Sequence, residues 1–164
     1  SEFGLYKHYS MIRNPYDVMV SYYWYCYNHK GRTPPLRDLC SPIPGEPFEE
    51  TKRKFRSFLT IPNQYAILYH HRKYQPILPS VAVGMVNDEA ALVENIVRFE
   101  YLETDLRTLF AYDNSFLLST FKSQFRSNKR HYSEYYDNSN ELKEIVRRSF
   151  PKTFERFEYS AEPV

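Results

Sequence analysis

The sequence is short of glycine, cysteine and tryptophan, and it lacks an excess of either charge. Its 164 residues include 4 glycines, 2 cysteines and 1 tryptophan, and 22 Lys and Arg residues nearly balance 20 Asp and Glu residues. Two cysteines exclude a disulfide scaffold, and a net charge of +2 excludes the global basic excess typical of nucleic-acid-binding proteins. No apolar run approaches the ~20 residues that a membrane-spanning helix needs.

Aromatic residues and proline are abundant instead, with 16 Tyr, 12 Phe and 11 Pro. The chain is 42% hydrophobic and 26% charged, which is typical of a globular domain. A chain of this length buries roughly 70% of its unfolded surface, so a sizeable core is expected. We predict a single mixed α/β domain over residues 4–164, and we interpret residues 1–3 as a cloning remnant.

The two cysteines, Cys26 and Cys40, lie in no CxxC motif and in no Cys/His cluster with metal-ligand spacing. We therefore predict no metal site. Two interpretations of the cysteines stay open. They are two thiols, or they form a single bridge in a protein of a secretory lumen.

Local patterns predict a helix-rich chain with few strands. The predicted strands are 5–12 and 96–100, and the predicted helices are 15–28, 49–59, 88–94, 102–110 and 138–150. A capping box at Asn138 and Glu141 is expected to open the last of these helices, and Pro151 is expected to interrupt it. Asn14 is the expected N-cap of the helix at 15–28, and Asp17 lies in the first turn of that helix. Residues 31–47 are expected to form a long proline-rich loop, and Pro76 and Pro79 interrupt an aromatic and basic segment at 65–74.

The segment around Arg13 has the features of an anion site. A strand that delivers an arginine into a turn opening a helix brings together backbone N–H groups, the helix dipole and a guanidinium. Ser21 follows seven residues after Asn14, about two helical turns, so its hydroxyl is expected on the side of that turn. The alternative is that Arg13 forms a salt bridge with Asp17, while Ser21 bonds the carbonyl four residues before it.

Three segments resemble sulfotransferases that use 3′-phosphoadenosine 5′-phosphosulfate (PAPS). IRNPYDVMVSYY at 12–23 resembles their 3′-phosphate-binding segment, in which an Arg-x-Pro turn precedes a helical serine. VRFEYLETDLRTLF at 97–110 is similar to their R-[YF]-E-x-L-x-x-D-[LF] segment. HYSEYYDNSNELKEIVRRSFPKTFERFEY at 131–159 is similar to their C-terminal segment, and the three matches occur in the family's order.

The resemblance implies a partial P-loop-NTPase-like sulfotransferase fold, α/β in class and helix-rich with few parallel strands. It implies that Arg13 and Ser21 hold the 3′-phosphate of PAPS or of adenosine 3′,5′-bisphosphate. Lys129 and Arg130 would lie near the nucleotide or the acceptor entrance, unless they belong to a solvated basic loop. Glu100 and Asp105 match family positions and are expected to organise the strand end and the helix start.

One part of the family pattern is missing. Sulfotransferases cradle the 5′-phosphosulfate in a loop whose lysine precedes Ser or Thr, and none of the glycines here precedes such a pair. We therefore expect residues 4–164 to lack an N-terminal βα portion and to be inactive alone. We also expect the chain to oligomerise or to need a complementing chain, because strand edges and apolar helix faces, notably the helix at 18–26, would otherwise be exposed.

The implied reaction is sulfuryl transfer to an unknown acceptor that bears a hydroxyl or an amine. No catalytic base is assigned, and His70, His71 and His131 are candidates by residue type only. One alternative is a nucleotide-binding fragment or pseudoenzyme without transfer activity. Another is a polyanion- or nucleic-acid-binding module that uses the basic residues at 52–56, 72–73 and 122–130, although we expect no nucleic-acid partner. The compartment stays open between the cytoplasm and the Golgi lumen.

Overall fold

The structure is a computed structural model that describes residues 9–28, 40–43, 45–60, 67–70, 73–76, 94–110, 130–136 and 139–164. The helices in these ranges are α1 (Pro15–Asn28), α2 (Phe48–Thr60), α3 (Leu102–Phe110), α4 (Asn140–Ser149) and α5 (Pro151–Phe157). The strands are β1 (Tyr9–Ile12), β2 (Ile67–His70), β3 (Lys73–Pro76) and β4 (Asn95–Arg98). Short 3-10 helices cover Phe99–Tyr101 and Tyr132–Tyr135.

The strands pair in two separate ways. β1 and β4 are parallel, and their register pairs Tyr9 with Asn95 and Ile12 with Arg98. Parallel strands need a crossover connection, and α1 and α2 lie within it. β2 and β3 form an antiparallel pair. The described part of the chain is therefore a helix-rich α/β structure with a small parallel sheet.

Helix α1 begins where its sequence predicts. The side-chain Oδ1 of Asn14 accepts a hydrogen bond from the N–H of Tyr16 at 3.0 Å, and the carbonyl of Asn14 accepts one from Val18 at 2.9 Å. Pro15 occupies the first helical position, where a missing N–H costs nothing. The predicted bounds of this helix and its N-cap are confirmed.

Aromatic side chains form the core around α1. Phe55 of α2 is fully buried and makes edge-to-face contacts with Tyr23, Tyr135 and Tyr136, with ring centroids 5.3 to 5.4 Å apart. Such pairs add stability beyond the apolar area that they bury. The cluster is completed by buried aliphatic and aromatic residues of α1, α2 and α4, including Met19, Val20, Leu59, Leu142 and Val146.

This packing corrects one expectation. The apolar face at 18–26 was expected to need another chain to cover it, but Val18, Met19, Val20, Tyr23 and Trp24 are all buried within this chain. The cover comes from α2, α4 and the 3-10 helix Tyr132–Tyr135. The apolar face of α1 therefore gives no reason to expect oligomerisation, which stays a prediction.

Buried tyrosines connect the core through their hydroxyls. The hydroxyl of Tyr136 donates to the carbonyl of Tyr16 at 2.9 Å, and the hydroxyl of Tyr16 donates to the carbonyl of Ala161 at 2.6 Å. Burial raises the pKa of Tyr16 to about 12, against an opposing effect of Arg147, and raises the pKa of Tyr136 well above its usual value. Both hydroxyls thus remain protonated donors at neutral pH.

Two predicted elements keep their place but change their ends. Helix α2 begins at Phe48 and ends at Thr60, one residue beyond each predicted bound. The strand predicted at 96–100 begins at Asn95 and ends at Arg98, whose N–H donates to the carboxylate of Asp105, and a 3-10 helix follows. The part of the first predicted strand at 5–8 lies outside the described residues.

The C-terminal helix differs from its prediction mainly at its start. Helix α4 begins at Asn140 and ends at Ser149, next to the predicted end at Phe150, and a second helix, α5, begins at Pro151, where an interruption was predicted. Ser139 is the N-cap of α4 and makes no side-chain cap bond, while Asn138 lies outside the described residues. A capping box occurs instead at His131 and Glu134, where it opens a 3-10 helix.

Two further predictions concern the middle of the chain. The aromatic and basic segment at 65–74, for which no element type was predicted, contains β2 and the start of β3. Residues 88–93 of the predicted helix at 88–94 lie outside the described residues, and Glu94 lies in a bend.

Asp105 joins the end of β4 to the start of α3. Its carboxylate accepts hydrogen bonds from the N–H of Arg98 at 2.9 Å and from Nε and Nη2 of the same residue at 3.1 Å each. The guanidinium of Arg98 also lies over the ring of Tyr101, 4.4 Å from its centroid. The expectation that Asp105 organises the strand end and the helix start is confirmed by these bonds.

The core packing predicts a large effect of truncating Phe55. Replacement by alanine removes a fully buried ring, so we expect Phe55→Ala to lower the free energy of unfolding by about 3–5 kcal/mol. Urea denaturation followed by circular dichroism measures this change. Ile43→Ala is the control, because Ile43 is 61% exposed and its loss should cost less than ~0.5 kcal/mol. Equal losses in the two variants would contradict this core.

The Arg98–Asp105 pair predicts a pH-dependent contribution to stability. The hydrogen bond from the Arg98 guanidinium lowers the pKa of Asp105 below its ordinary value of 3.8, although burial opposes this shift. A carboxyl whose pKa is lower in the folded state stabilises the fold above the unfolded-state pKa, and this stabilisation is lost as the pH falls through the folded-state pKa. The difference in unfolding free energy between wild type and Asp105→Asn should therefore be constant near neutral pH and shrink below about pH 4.

Urea denaturation of both proteins across this pH range tests the expectation. Glu103→Gln is a matched control on the same helix, because Glu103 forms an exposed ion pair with Arg107 that solvent screens. A difference for Asp105→Asn that stays constant down to about pH 2 would contradict the assignment.

Candidate functional site

Arg13 lies at the carboxyl end of β1, in the turn that opens α1. Because β1 and β4 are parallel, Arg13 and Arg98 lie at the same edge of the sheet, where the register places Arg98 opposite Ile12. The carboxyl edge of parallel strands is where open α/β sheets usually bind ligands. The fold thus brings two arginines to an edge suited to binding.

The guanidinium of Arg13 is held on several sides. Its Nε and Nη2 both interact with Oδ2 of Asp17, one helical turn further along. Its Nη1 donates to the Oγ of Ser21 at 3.3 Å. The ring of Phe99 covers one face of the group, with the Cζ atom 4.3 Å from the ring centroid. Arg13 therefore has a fixed position although its side chain is 21% exposed.

Both sequence-based interpretations of this segment have a counterpart in the structure. Arg13 and Ser21 are brought together, as an anion site requires, and the salt bridge between Arg13 and Asp17 is also present. The two are compatible because a guanidinium has five N–H groups. Binding of a phosphate by Arg13 and Ser21 stays a prediction.

The turn that carries Arg13 is tied to distant parts of the chain through Glu100. One carboxylate oxygen of Glu100 accepts the N–H of Asn14, and the other accepts the hydroxyl of Tyr159 at 2.9 Å. Burial is the main cause that raises the pKa of Tyr159, and the charge of Glu100 adds to it, so the hydroxyl remains a donor. Glu100 thus links the start of α1 to the C-terminal segment, a role that the sequence did not predict.

A second link runs through the side chain of Asn14. Its Nδ2 donates to the hydroxyl of Tyr132 at 3.1 Å, and that hydroxyl donates to the carbonyl of Val164 at 2.5 Å. Burial raises the pKa of Tyr132. The sequence did not predict that Tyr132 and Tyr159 support this turn. It shows only that the C-terminal segment at 131–159 is rich in tyrosine.

The basic pair predicted near the nucleotide is only partly described. Lys129 lies outside the described residues. Arg130 is exposed, donates from Nη1 to Glu134 at 3.1 Å, and lies over the ring of Phe48 at 5.1 Å from its centroid. These contacts fit a solvated surface arginine, and a contact between Arg130 and a nucleotide stays a prediction.

The histidine candidates have no assigned role in proton transfer. The Nδ1 of His131 lies 2.8 Å from the Oγ of Ser133 and takes part in the capping box with Glu134. This position gives His131 a structural role at the start of the 3-10 helix. His71 and the side chain of His70 lie outside the described residues.

The basic residues of α2 are neutralised by acidic partners. Each of the four has a carboxylate oxygen at 2.5 to 2.8 Å, in the pairs Lys52–Glu49, Arg53–Glu50, Lys54–Glu46 and Arg56–Glu141. Alternating charges of this kind are typical of an ordinary amphipathic helix surface. The polyanion-binding alternative therefore finds no support on this helix.

Other expectations concern membrane, metal and disulfide. Among the helices that the structure describes, none has the length and apolar character to cross a bilayer. In the same part of the chain, no group of three or more His, Cys, Asp or Glu side chains is arranged to hold a metal ion. Cys40 is buried, and the side chain of Cys26 lies outside the described residues.

Comparisons of the chain with protein-family models, with curated proteins and with solved structures give no match. The resemblance to sulfotransferases therefore depends on the three sequence segments alone. The structural observation that bears on this resemblance is the contact of Arg13 with Ser21 and Asp17.

Proposed function

We propose that the chain binds the 3′-phosphate of PAPS or of adenosine 3′,5′-bisphosphate through Arg13 and Ser21. In this proposal it is the 3′-phosphate-binding and C-terminal part of a PAPS-dependent sulfotransferase, and β1 and β4 belong to a P-loop-like sheet. The observation that carries the proposal is the 3.3 Å separation of Arg13 Nη1 and Ser21 Oγ at the carboxyl edge of the parallel sheet. The three collinear segments support it.

The chemistry of the two side chains suits a phosphate. Arg13 uses Nε and one N–H of Nη2 toward Asp17 and one N–H of Nη1 toward Ser21, which leaves its outer edge, one N–H each on Nη1 and Nη2, for a phosphate. A guanidinium matches the oxygen spacing of a phosphate and forms charge-assisted hydrogen bonds with it. The hydroxyl of Ser21 accepts from Arg13 and rotates freely enough to donate to a phosphate oxygen at the same time.

We call Arg13 and Ser21 together the clamp. In a complete enzyme the clamp would orient the donor PAPS for in-line transfer. The bond between sulfur and the phosphate oxygen breaks, a bond between sulfur and the acceptor oxygen or nitrogen forms, and the acceptor proton passes to a base. Fixing the nucleotide at its 3′-phosphate makes part of this reaction effectively intramolecular. We assign neither the base nor the acceptor.

A second candidate function is nucleotide binding without transfer. It needs only the contact between Arg13 and Ser21 that the structure describes, whereas transfer also needs a loop whose backbone N–H groups hold the 5′-phosphosulfate. The two candidates share the clamp and differ only in whether transfer occurs, so nucleotide binding is the property to test first.

The proposal predicts that binding depends on both clamp residues. Isothermal titration calorimetry should detect adenosine 3′,5′-bisphosphate binding, with weaker binding of adenosine 5′-monophosphate, which lacks the 3′-phosphate. Arg13→Ala should weaken bisphosphate binding about 10- to 100-fold, because hydrogen bonds to charged groups contribute ~1.5–3 kcal/mol. Ser21→Ala should weaken it about 2- to 10-fold, as expected for a neutral donor.

Two residues of α2 provide matched controls. Arg53 also pairs with a carboxylate on its own helix, and the hydroxyl of Ser57 bonds the carbonyl four residues before it. Arg53→Ala and Ser57→Ala should bind the bisphosphate like the wild type, and circular dichroism checks that all variants are folded. Absence of binding by the folded wild type, or equal losses in the controls, would overturn the proposal.

A further inference from the structure

We infer that Asp17 is a positioning residue, which holds the guanidinium of Arg13 so that its outer edge faces the 3′-phosphate. The inference rests on the proposed function. It assigns a role to a carboxylate that, by charge alone, would repel the ligand. Asp17 does not touch the phosphate in this arrangement and acts through Arg13.

The geometry of the pair carries this inference. A single carboxylate oxygen of Asp17 faces both Nε and Nη2, which is the inner edge of the guanidinium. Ser21 lies at Nη1, and Phe99 covers one face of the planar group. With its inner edge, one face and one N–H of Nη1 held, Arg13 has the remaining N–H of Nη1 and that of Nη2 as the donors that can reach a ligand. The bond to Asp17 need not break when these donors bind.

Two effects of Asp17 on phosphate binding oppose each other. Its negative charge repels the phosphate, while its hydrogen bonds remove the rotamer freedom that Arg13 would otherwise lose on binding. Burial decides between them, because the side chain of Asp17 is 12% exposed and that of Arg13 is 21% exposed. Removing one partner of a partly buried ion pair leaves the other poorly solvated, and it then moves toward water. We therefore expect the loss of orientation to outweigh the loss of repulsion.

The chain contains a matched pair for comparison. Arg98 and Asp105 lie at the same edge of the sheet, and the side chain of Asp105 is 13% exposed, close to the value for Asp17. Arg98 is the last residue of β4, whereas Arg13 follows β1, and the guanidinium of Arg98 is directed to Asp105 and Tyr101. Neutralising Asp105 removes the same charge from the same edge without touching the clamp.

The test uses the ratio of two dissociation constants measured by calorimetry. The ratio divides the value for adenosine 5′-monophosphate by that for adenosine 3′,5′-bisphosphate, so it reports the 3′-phosphate alone. Asp17→Asn should lower the ratio about tenfold, because Arg13 loses its fixed orientation. Asp17→Glu, which keeps the carboxylate, should give a ratio between those of Asp17→Asn and the wild type. Asp105→Asn should leave the ratio unchanged.

The outcomes separate this inference from the proposed function. A wild-type ratio near one overturns the proposed clamp itself. A wild-type ratio well above one, with an equal or higher ratio in Asp17→Asn, overturns the positioning role and identifies Asp17 as a repelling charge. A loss of the same size in Asp105→Asn also overturns it. If Asp17→Asn does not fold, a ratio for Asp17→Glu at or above that of the wild type overturns the inference.

Discussion

Aromatic packing fixes the rotation of α1 about its axis, and the arrangement of the candidate site depends on that rotation. Tyr16, Val20 and Tyr23 point into the core, where the fully buried Phe55 meets Tyr23 edge to face. Arg13, Asp17 and Ser21 follow one another at four-residue steps, so they occupy a common stripe beside the buried one. A rotation that brought this stripe inward would bury charges and expose aromatic rings, and both changes are unfavourable. The core therefore selects the side on which the clamp residues meet.

A second constraint acts on the turn before the helix. Asn14 caps α1 with its side-chain oxygen, while its two nitrogen atoms donate to Glu100 and Tyr132. Glu100 in turn accepts the hydroxyl of Tyr159, and Tyr132 donates to the carbonyl of Val164. The position of Arg13 is thus set by three distant segments of the chain as well as by its own helix. Because these segments include two of the three that resemble sulfotransferases, the resemblance and the hydrogen bonds concern the same part of the molecule.

The sequence predicts the elements whose signals are local. The bounds of α1 and α3 follow from a cap, a first-turn acid and apolar periodicity, and helical spacing alone brings Arg13 to Ser21. It does not predict the contact between Asn14 and Glu100, which are 86 residues apart, since no local pattern encodes such a pairing. The sequence also does not predict which elements bury α1. Its apolar residues indicate that the helix is buried on most sides, but they do not identify the elements that pack against it. The break between α4 and α5 was predicted from Pro151, but the sequence did not show that a second helix begins at that proline.

The charges at the carboxyl edge of the sheet explain why the amino-acid composition did not predict an anionic ligand. Arg13 and Arg98 each have an aspartate on the following helix, so each pair is close to neutral. A site built in this way does not attract anions by excess charge, and a net charge of +2 gives no hint of it. Any affinity for a phosphate must come from the direction in which guanidinium N–H groups point and from the hydroxyl placed beside them. Recognition of that kind favours one phosphate geometry over polyanions in general, since a flexible polyanion gains little from a single oriented donor pair.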